Sequence, residues 1–334
     1  MHTIRQAACA AALLLALAGT VRASDGDGCE VHAKEDGARL CSYEPTTIGY
    51  TKDSDDSGFM DFKISLMYQL IPYIEELVKA ESRLAESWLS GFTGIGRQVN
   101  KLVNVSGFMA HPTREQLETY DRIPRNVALL LKRAGVAFGA LYEDDLYSGA
   151  LAYDLGADET LREHAQKVYA TLKRHGVKEA VTIDPHTTNM LRSVYPTLIE
   201  DYDLEVRNYL EVLSGLDLAP SRQLEGDVAI HDSCVFARYE GVLHEPRQLL
   251  EGLGLTLREP LHAGTMTWCC GGPVESLFPE KAAEQAGRRV TELNAVAERG
   301  VTMCPLCYVN LQKAANGRMR FDDISDYLIR GYEP

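Results

Sequence analysis

The sequence predicts an α/β protein of two repeated units with mostly parallel sheets, behind a signal-like, partly disordered N-terminal extension. Three observations lead there. From about residue 125, short β-branched runs alternate with longer amphipathic stretches, the order that builds parallel sheets through helical crossovers. Two stretches also share their punctuation. Gly149 to Asp184 is 184 − 149 = 35 positions and Gly271 to Cys304 is 304 − 271 = 33 positions, and each contains a Gly-Val before a short strand that ends in Asp184-Pro185 or Cys304-Pro305. This is weak internal duplication across a linker at 213–226. Finally, five of the eight cysteines crowd into the last third, each group at a strand end or a Gly-rich turn.

Taken in order, residues 1–23 have the parts of a secretory signal: Arg5, an apolar run at 7–17 and Val21-Arg22-Ala23 before Ser24. The run is too short to span a bilayer. Residues 24–58 are polar and rich in Gly and Asp. From Met60 to Leu70 apolar and polar residues alternate, a strand signal whose length suits a barrel strand. The stretch from Tyr43 to Leu70, with Asp53, Asp55 and Asp56, resembles the start of an outer-membrane phospholipase A, but no second alternating strand follows. Asp53-x-Asp55-x-Ser57-Gly58 has the opening of a calcium loop, with Ile64 where its terminal Glu should stand. Residues 73–88 turn helical, and Gly91–Gly96 lacks dinucleotide-fingerprint spacing.

The first unit then shows a helix at 127–133 closed by Gly135, a strand at 136–141, a helix at 158–175 and a strand at 180–183. Leu161, Ala165, Val168, Tyr169 and Leu172 line one face of the longer helix, and a further helix begins near Thr187. The second unit has strands at 228–231, 255–257 and 301–303, helices at 246–251 and 279–299, and a helix from Pro305. The expected divisions are a leader at 1–23, an extension at 24–106, a first unit at 107–222 and a second at 223–330.

Composition narrows the function. Lys and Arg number 34 against 48 Asp and Glu, a net charge of −14, which argues against a nucleic-acid partner and against charge-driven docking on anionic lipid. No segment after the leader is apolar enough for a transmembrane span. Chemistry falls to His231-Asp232-Ser233-Cys234, Cys269-Cys270-Gly271-Gly272 and Cys304-Pro305-Leu306-Cys307. Loops at strand ends gather at the carboxyl edge of a parallel sheet, where open α/β folds place their sites. Convergent thiols are soft ligands for an iron–sulfur cluster, zinc or Cu(I). Vicinal cysteines close on each other only with strain, so Cys269-Cys270 points to ligation. The glycines let the backbone come close, and the helix start after Cys304 favours thiolates.

The set Cys234, Cys269-Cys270-Gly271 and Cys304-x-x-Cys307 resembles the cysteine-rich CCG domain of heterodisulfide reductase subunits B and D, the glycolate oxidase iron–sulfur subunit and lactate-utilisation iron–sulfur proteins. The resemblance covers about residues 107–330. It implies two CCG domains, and a 4Fe–4S cluster of the unusual non-cubane kind held by Cys234, Cys269, Cys270, Cys304 and Cys307. The first unit departs from the pattern. Tyr147-Ser148-Gly149 stands where the family has Cys-Cys-Gly, and Asp184-Pro185-His186-Thr187 where it has Cys-Pro-x-Cys. The resemblance therefore implies a degenerate first domain, at 107–222, that kept the fold without a cluster. A site made from Asp184, His186 and Thr187 is the minor alternative.

The expectation is an iron–sulfur electron-transfer component of an oxidoreductase. Its electrons would come from a ferredoxin-type iron–sulfur or flavoprotein subunit, since neither the ferredoxin cysteine spacing nor a dinucleotide fingerprint occurs in the sequence. The rivals are a zinc-stabilised binding module on the same thiols, with His231, and an exported disulfide-bonded protein. A cluster favours the cytoplasm, whereas the leader, if genuine, implies export; Arg5 is not part of a twin-arginine motif.

Overall fold

The computed structural model describes residues 30–33, 39–42, 58–60 and 114–332, apart from 142, 143, 155, 273, 274, 276 and 277. The leader, the calcium-like spacing, the helix expected at 73–88 and nearly all of the alternating run from Met60 to Leu70 lie outside these residues. Strands β1 (Glu30–Ala33) and β2 (Arg39–Ser42) pair antiparallel.

The remaining strands form two four-stranded parallel sheets. The first holds β3 (Gly58–Met60), β4 (Phe138–Gly139), β5 (Glu179–Thr182) and β6 (Glu205–Asn208) in the order β4-β3-β5-β6. Gly58–Met60 belongs to the stretch that the sequence sets apart as an extension, yet it lies between β4 and β5. The second sheet holds β7 (Asp227–His231), β8 (Thr256–Arg258), β9 (Arg299–Thr302) and β10 (Arg320–Asp323) in the order β8-β7-β9-β10. Both orders read second, first, third, fourth. Such an order has a switch point between its first and third strands, where successive connections leave in opposite directions and open a crevice at the carboxyl ends.

Helical crossovers are required because parallel neighbours cannot be joined by tight turns. In the first unit they are α1 (Arg114–Arg133), α2 (Ala150–Asp154), α3 (Asp158–Arg174), α4 (Pro185–Asn189) and α5 (Tyr195–Leu198), and α6 (Tyr209–Ser214) leads from β6 toward the second sheet. The predicted face of α3 is the buried one, with Leu161, Ala165, Val168, Tyr169 and Leu172 all inside. In the second unit they are α7 (His244–Gly252), α8 (Pro279–Asn294) and α9 (Pro305–Ala315), and α10 (Ile324–Tyr332) follows the last strand. α8 stops at Asn294, five residues short of the expected end, and β9 begins at Arg299. α6 runs into the stretch expected to be linker.

The two units share a core. Ile123, Val127, Leu130 and Leu131 of α1, Val181 of β5 and Tyr209 of α6 pack in one cluster with Val228 and Ile230 of β7, Val301 of β9 and Leu328 of α10. Beside it, Arg122 of α1 grips Asp326 of α10 with two bonds, at 2.7 and 2.9 Å, and Asn126 adds a third at 3.0 Å.

Candidate metal centre

β7 and β9 are the strands that flank the switch point of the second sheet; Cys234 follows the carboxyl end of β7, Cys304 and Cys307 follow that of β9, and Cys269-Cys270 lies in the loop between β8 and α8. β7 is buried from Val228 onward and delivers His231, Asp232, Ser233 and Cys234 to the edge. Asp232 organises the approach of the next loop. Its carboxylate takes Arg247 at 2.8 and 2.9 Å and the backbone N–H of Gly264 at 2.6 Å, while its carbonyl accepts from Thr267 Oγ1 at 3.1 Å. Thr267 leads directly into Trp268 and Cys269, so this network sets Cys269 against Cys234. Their sulfurs lie 4.0 Å apart.

Gly271 turns the chain after the vicinal pair. Its φ is +85°, and a Cβ there would lie 2.6 Å from the Ala282 carbonyl oxygen, so only glycine lets the loop press against α8. Its N–H donates to Cys269 Sγ at 3.3 Å. At Gly272 an added Cβ would meet Leu306 at 3.1 Å and Cys270 Sγ at 3.5 Å. Cys304 occupies the cap position of α9 without a side-chain capping bond, Pro305 opens the helix, and Cys307 follows one turn on.

All five late cysteines are free thiols. Cys270, Cys304 and Cys307 are buried, while Cys234 and Cys269 are half-buried. They form an unbroken chain of neighbours. The bond from Cys234 holds Cys269 well below the usual thiol range and pushes Cys234 up in return. Cys269 raises Cys270, and Cys270 and then Cys304 raise Cys307. Burial alone would raise Cys304, but the bond with Cys307 and the charge of His186 outweigh it and hold it low. So many buried thiols cannot ionise together unless a cation replaces their protons.

A ring nitrogen of His231 and the sulfurs of Cys270 and Cys307 lie within 4.8 Å of one another. His231 is fully buried. Its Nδ1 accepts from Arg289 at 3.0 Å, and its pKa is pushed down to about 3 by burial and by the Arg289 charge. Arg289 has no exposure at all, and its Nη1 meets Glu292 at 2.6 Å. Sequence reasoning missed Arg289. The signal was an arginine on the apolar stripe of α8 beside Ala282, Ala286, Val290 and Leu293, a place where a charge must have a built partner.

The first unit presents matching positions with other chemistry. Ser148 Oγ lies 3.4 Å from Thr187 Oγ1, where the second unit sets Cys270 and Cys307. Asp184 caps α4 by accepting from the His186 and Thr187 N–H groups at 2.7 and 2.9 Å. The half-buried Tyr147 accepts from the Leu151 N–H at 2.9 Å. α4 packs on the turn that follows Cys234, where Asn189 and Ser193 both donate to Glu240, at 2.7 and 2.8 Å. His186 is turned toward the thiols. Burial would lower its pKa, but Cys304, Asp184 and Asp154 together raise it.

Residues 228–312 match the family model of the cysteine-rich CCG domain, a span that contains all five late cysteines. The match lies within the second unit. The chain is 29% identical over 245 residues to "Probable iron-sulfur-binding oxidoreductase FadF" of Bacillus subtilis, covering 70% of this chain and 33% of that protein. It is 29% identical over 235 residues to the EtfAB:quinone oxidoreductase of Syntrophomonas wolfei, covering 65% and 33%, and 30% identical over 225 residues to "Probable membrane-anchored ferredoxin" of Chromohalobacter salexigens, covering 62% and 33%. The chain thus spans about a third of the length of these curated relatives. Among the described residues, no helix is long and apolar enough to cross a membrane.

Proposed function

We propose that this chain is an electron-transfer component of an oxidoreductase, carrying one iron–sulfur cluster on Cys234, Cys269, Cys270, Cys304 and Cys307. The observation that carries the reading is the gathering of five free thiols, from three separate loops, at the switch point of a parallel sheet. The donor set fits the group. It is soft and largely buried, its loop glycines admit no side chain, and the α9 N-terminus lies beside Cys304 and Cys307 to stabilise negative sulfur. When bound, the cluster would accept and pass on single electrons.

The protein's own residues shape that exchange. Cys270, Cys304 and Cys307 close the inner side, and Cys234 and Cys269 form the side nearest solvent, where a partner would approach. Trp268, next to Cys269, is 38% exposed and stacks on His262. The names of the relatives support a place in a larger oxidoreductase, with a ferredoxin-type iron–sulfur or flavoprotein subunit as electron donor. The finer reading follows the heterodisulfide reductase and glycolate oxidase iron–sulfur subunits, with a non-cubane 4Fe–4S cluster and the first unit as a cluster-free CCG domain at 107–222. In the resembling reductases two clusters face each other, so a single thiol set supports single-cluster electron transfer. Free buried thiols suit the reducing cytoplasm.

Anaerobic purification tests this. The expected protein is brown, with a broad visible absorbance that dithionite bleaches and air slowly destroys. A colourless protein containing zinc and neither iron nor sulfide would establish the zinc-stabilised module instead.

A further inference from the structure

The buried imidazole at the end of β7 faces two different neighbours. On one side, Arg289 Nε donates to His231 Nδ1 at 3.0 Å. A guanidinium has only donors, so Nδ1 must present its lone pair and the neutral ring must carry its proton on Nε2. Arg289 is held in place by its other contacts. It donates to Glu292 at 2.6 Å, to the His262 carbonyl at 2.9 Å and to Thr267 Oγ1 at 3.4 Å. Nε2 is buried and has no partner among the described residues, and Cys270 and Cys307 Sγ lie within 4.8 Å of a ring nitrogen. A buried N–H left unpaired is costly, so this one marks a missing acceptor.

We infer that His231 donates its Nε2–H to a sulfur at the thiol-held centre and thereby raises the reduction potential, with Arg289 as the positioning residue that fixes the ring's tautomer. The inference rests on the cluster reading above. A donor aimed at sulfur stabilises the extra negative charge of the reduced state more than the oxidised state. Direct ligation through Nε2 is disfavoured. It would require the ring to lose its remaining proton beside thiolates, while Arg289 already fills Nδ1.

The test is a potentiometric titration of the full chain, purified anaerobically and followed by electron paramagnetic resonance, with iron and sulfide counted in each sample. His231→Phe should keep its iron and move to a more negative potential. His231→Gln, which still offers an N–H, should move less. Arg289→Lys keeps the charge but loses the fork, and should shift in the same direction as His231→Phe. An unmoved potential in iron-replete His231→Phe would overturn the donor role, and so would iron lost from that variant, since it would make His231 a ligand or a structural support. Because the variants could fail to fold, nitrogen NMR of histidine-labelled wild-type protein provides a separate check. An unprotonated Nδ1 and a protonated Nε2 are expected, and a protonated Nδ1 or a metal-bound Nε2 refutes the assignment. A wild-type chain without iron sinks the cluster reading and this inference with it. Iron present with an unmoved potential sinks the donor role alone.

Discussion

After β5 the first unit places Asp184-Pro185-His186-Thr187, and after β9 the second places Cys304-Pro305-Leu306-Cys307. The backbone task is the same: both strands end at a switch point, and both following helices have proline in the first turn. The side chains differ. Asp184 spends an oxygen on its own helix, accepting from two backbone N–H groups, whereas Cys304 makes no capping bond and its thiol is left for Cys307. The same exchange recurs across the loop, with Ser148 near Thr187 in one unit and Cys270 near Cys307 in the other. The fold supplies the positions, and residue type decides between a closed hydrogen-bonded edge and a soft-ligand site.

The sharpest way to break this comparison is Cys270→Ser, which gives the second unit the first unit's hydroxyl. A hydroxyl is a hard, poor substitute for a thiolate, so most of the bound iron should be lost. Unchanged iron would remove Cys270 from the ligand set.

Next in size is a pH effect at the fourth strand of each sheet. Asn208 caps α6 and is neutral, while Asp323 holds the same station before α10. Burial, and then the Asp326 charge, push Asp323 up to about 7. The folded state therefore holds this proton more tightly than the unfolded chain. Its contribution is fully present below the ordinary carboxylate pKa and is lost as pH rises through 7, by at most about 4 kcal/mol. Asp323→Asn keeps an acceptor for the Ser325 N–H, and should flatten the fall in melting temperature between pH 4 and 8. An equal fall in wild type and variant would contradict the assignment.

Gly149 and Gly271 sharpen the comparison further. Both have positive φ, +81° and +85°. An added Cβ at Gly271 meets backbone of Ala282 at 2.6 Å, whereas at Gly149 it meets the ends of Leu161 and His164 side chains at 3.1 and 3.2 Å. Gly271→Ala should cost ~2–4 kcal/mol and Gly149→Ala ~1–2, read from denaturant midpoints. Equal costs would mean that the two turns are packed alike. The smallest expected change is Asp184→Ala, which removes a helix cap for ~1–2 kcal/mol and leaves iron content untouched. Loss of iron there would make the first unit part of the site.

Much of this was legible in the sequence. The buried stripe of α3 followed from spacing alone, and the thiol groups followed from strand ends and a Gly-rich turn. Other elements were not. β6 is Glu-Val-Arg-Asn and β10 is Arg-Phe-Asp-Asp, and such short edge strands lack a continuous apolar run. α1 extends back through a charged stretch with Pro124 inside it, so its first turns give no helical signal. Gly58–Met60 pairs with β4 across a long separation, and only tertiary pairing could reveal it. The supports of the site were hidden for the same reason. Arg289 and His231 are 58 positions apart, and Asp232 and Gly264 are 32 apart.

The claim that the two edges differ in chemistry is tested most directly by counting iron and acid-labile sulfide per chain in anaerobically purified wild-type protein. One 4Fe–4S cluster, about four of each, is expected because only the second unit offers thiols. About eight of each would mean a second cluster beyond the five late cysteines, and would contradict the account.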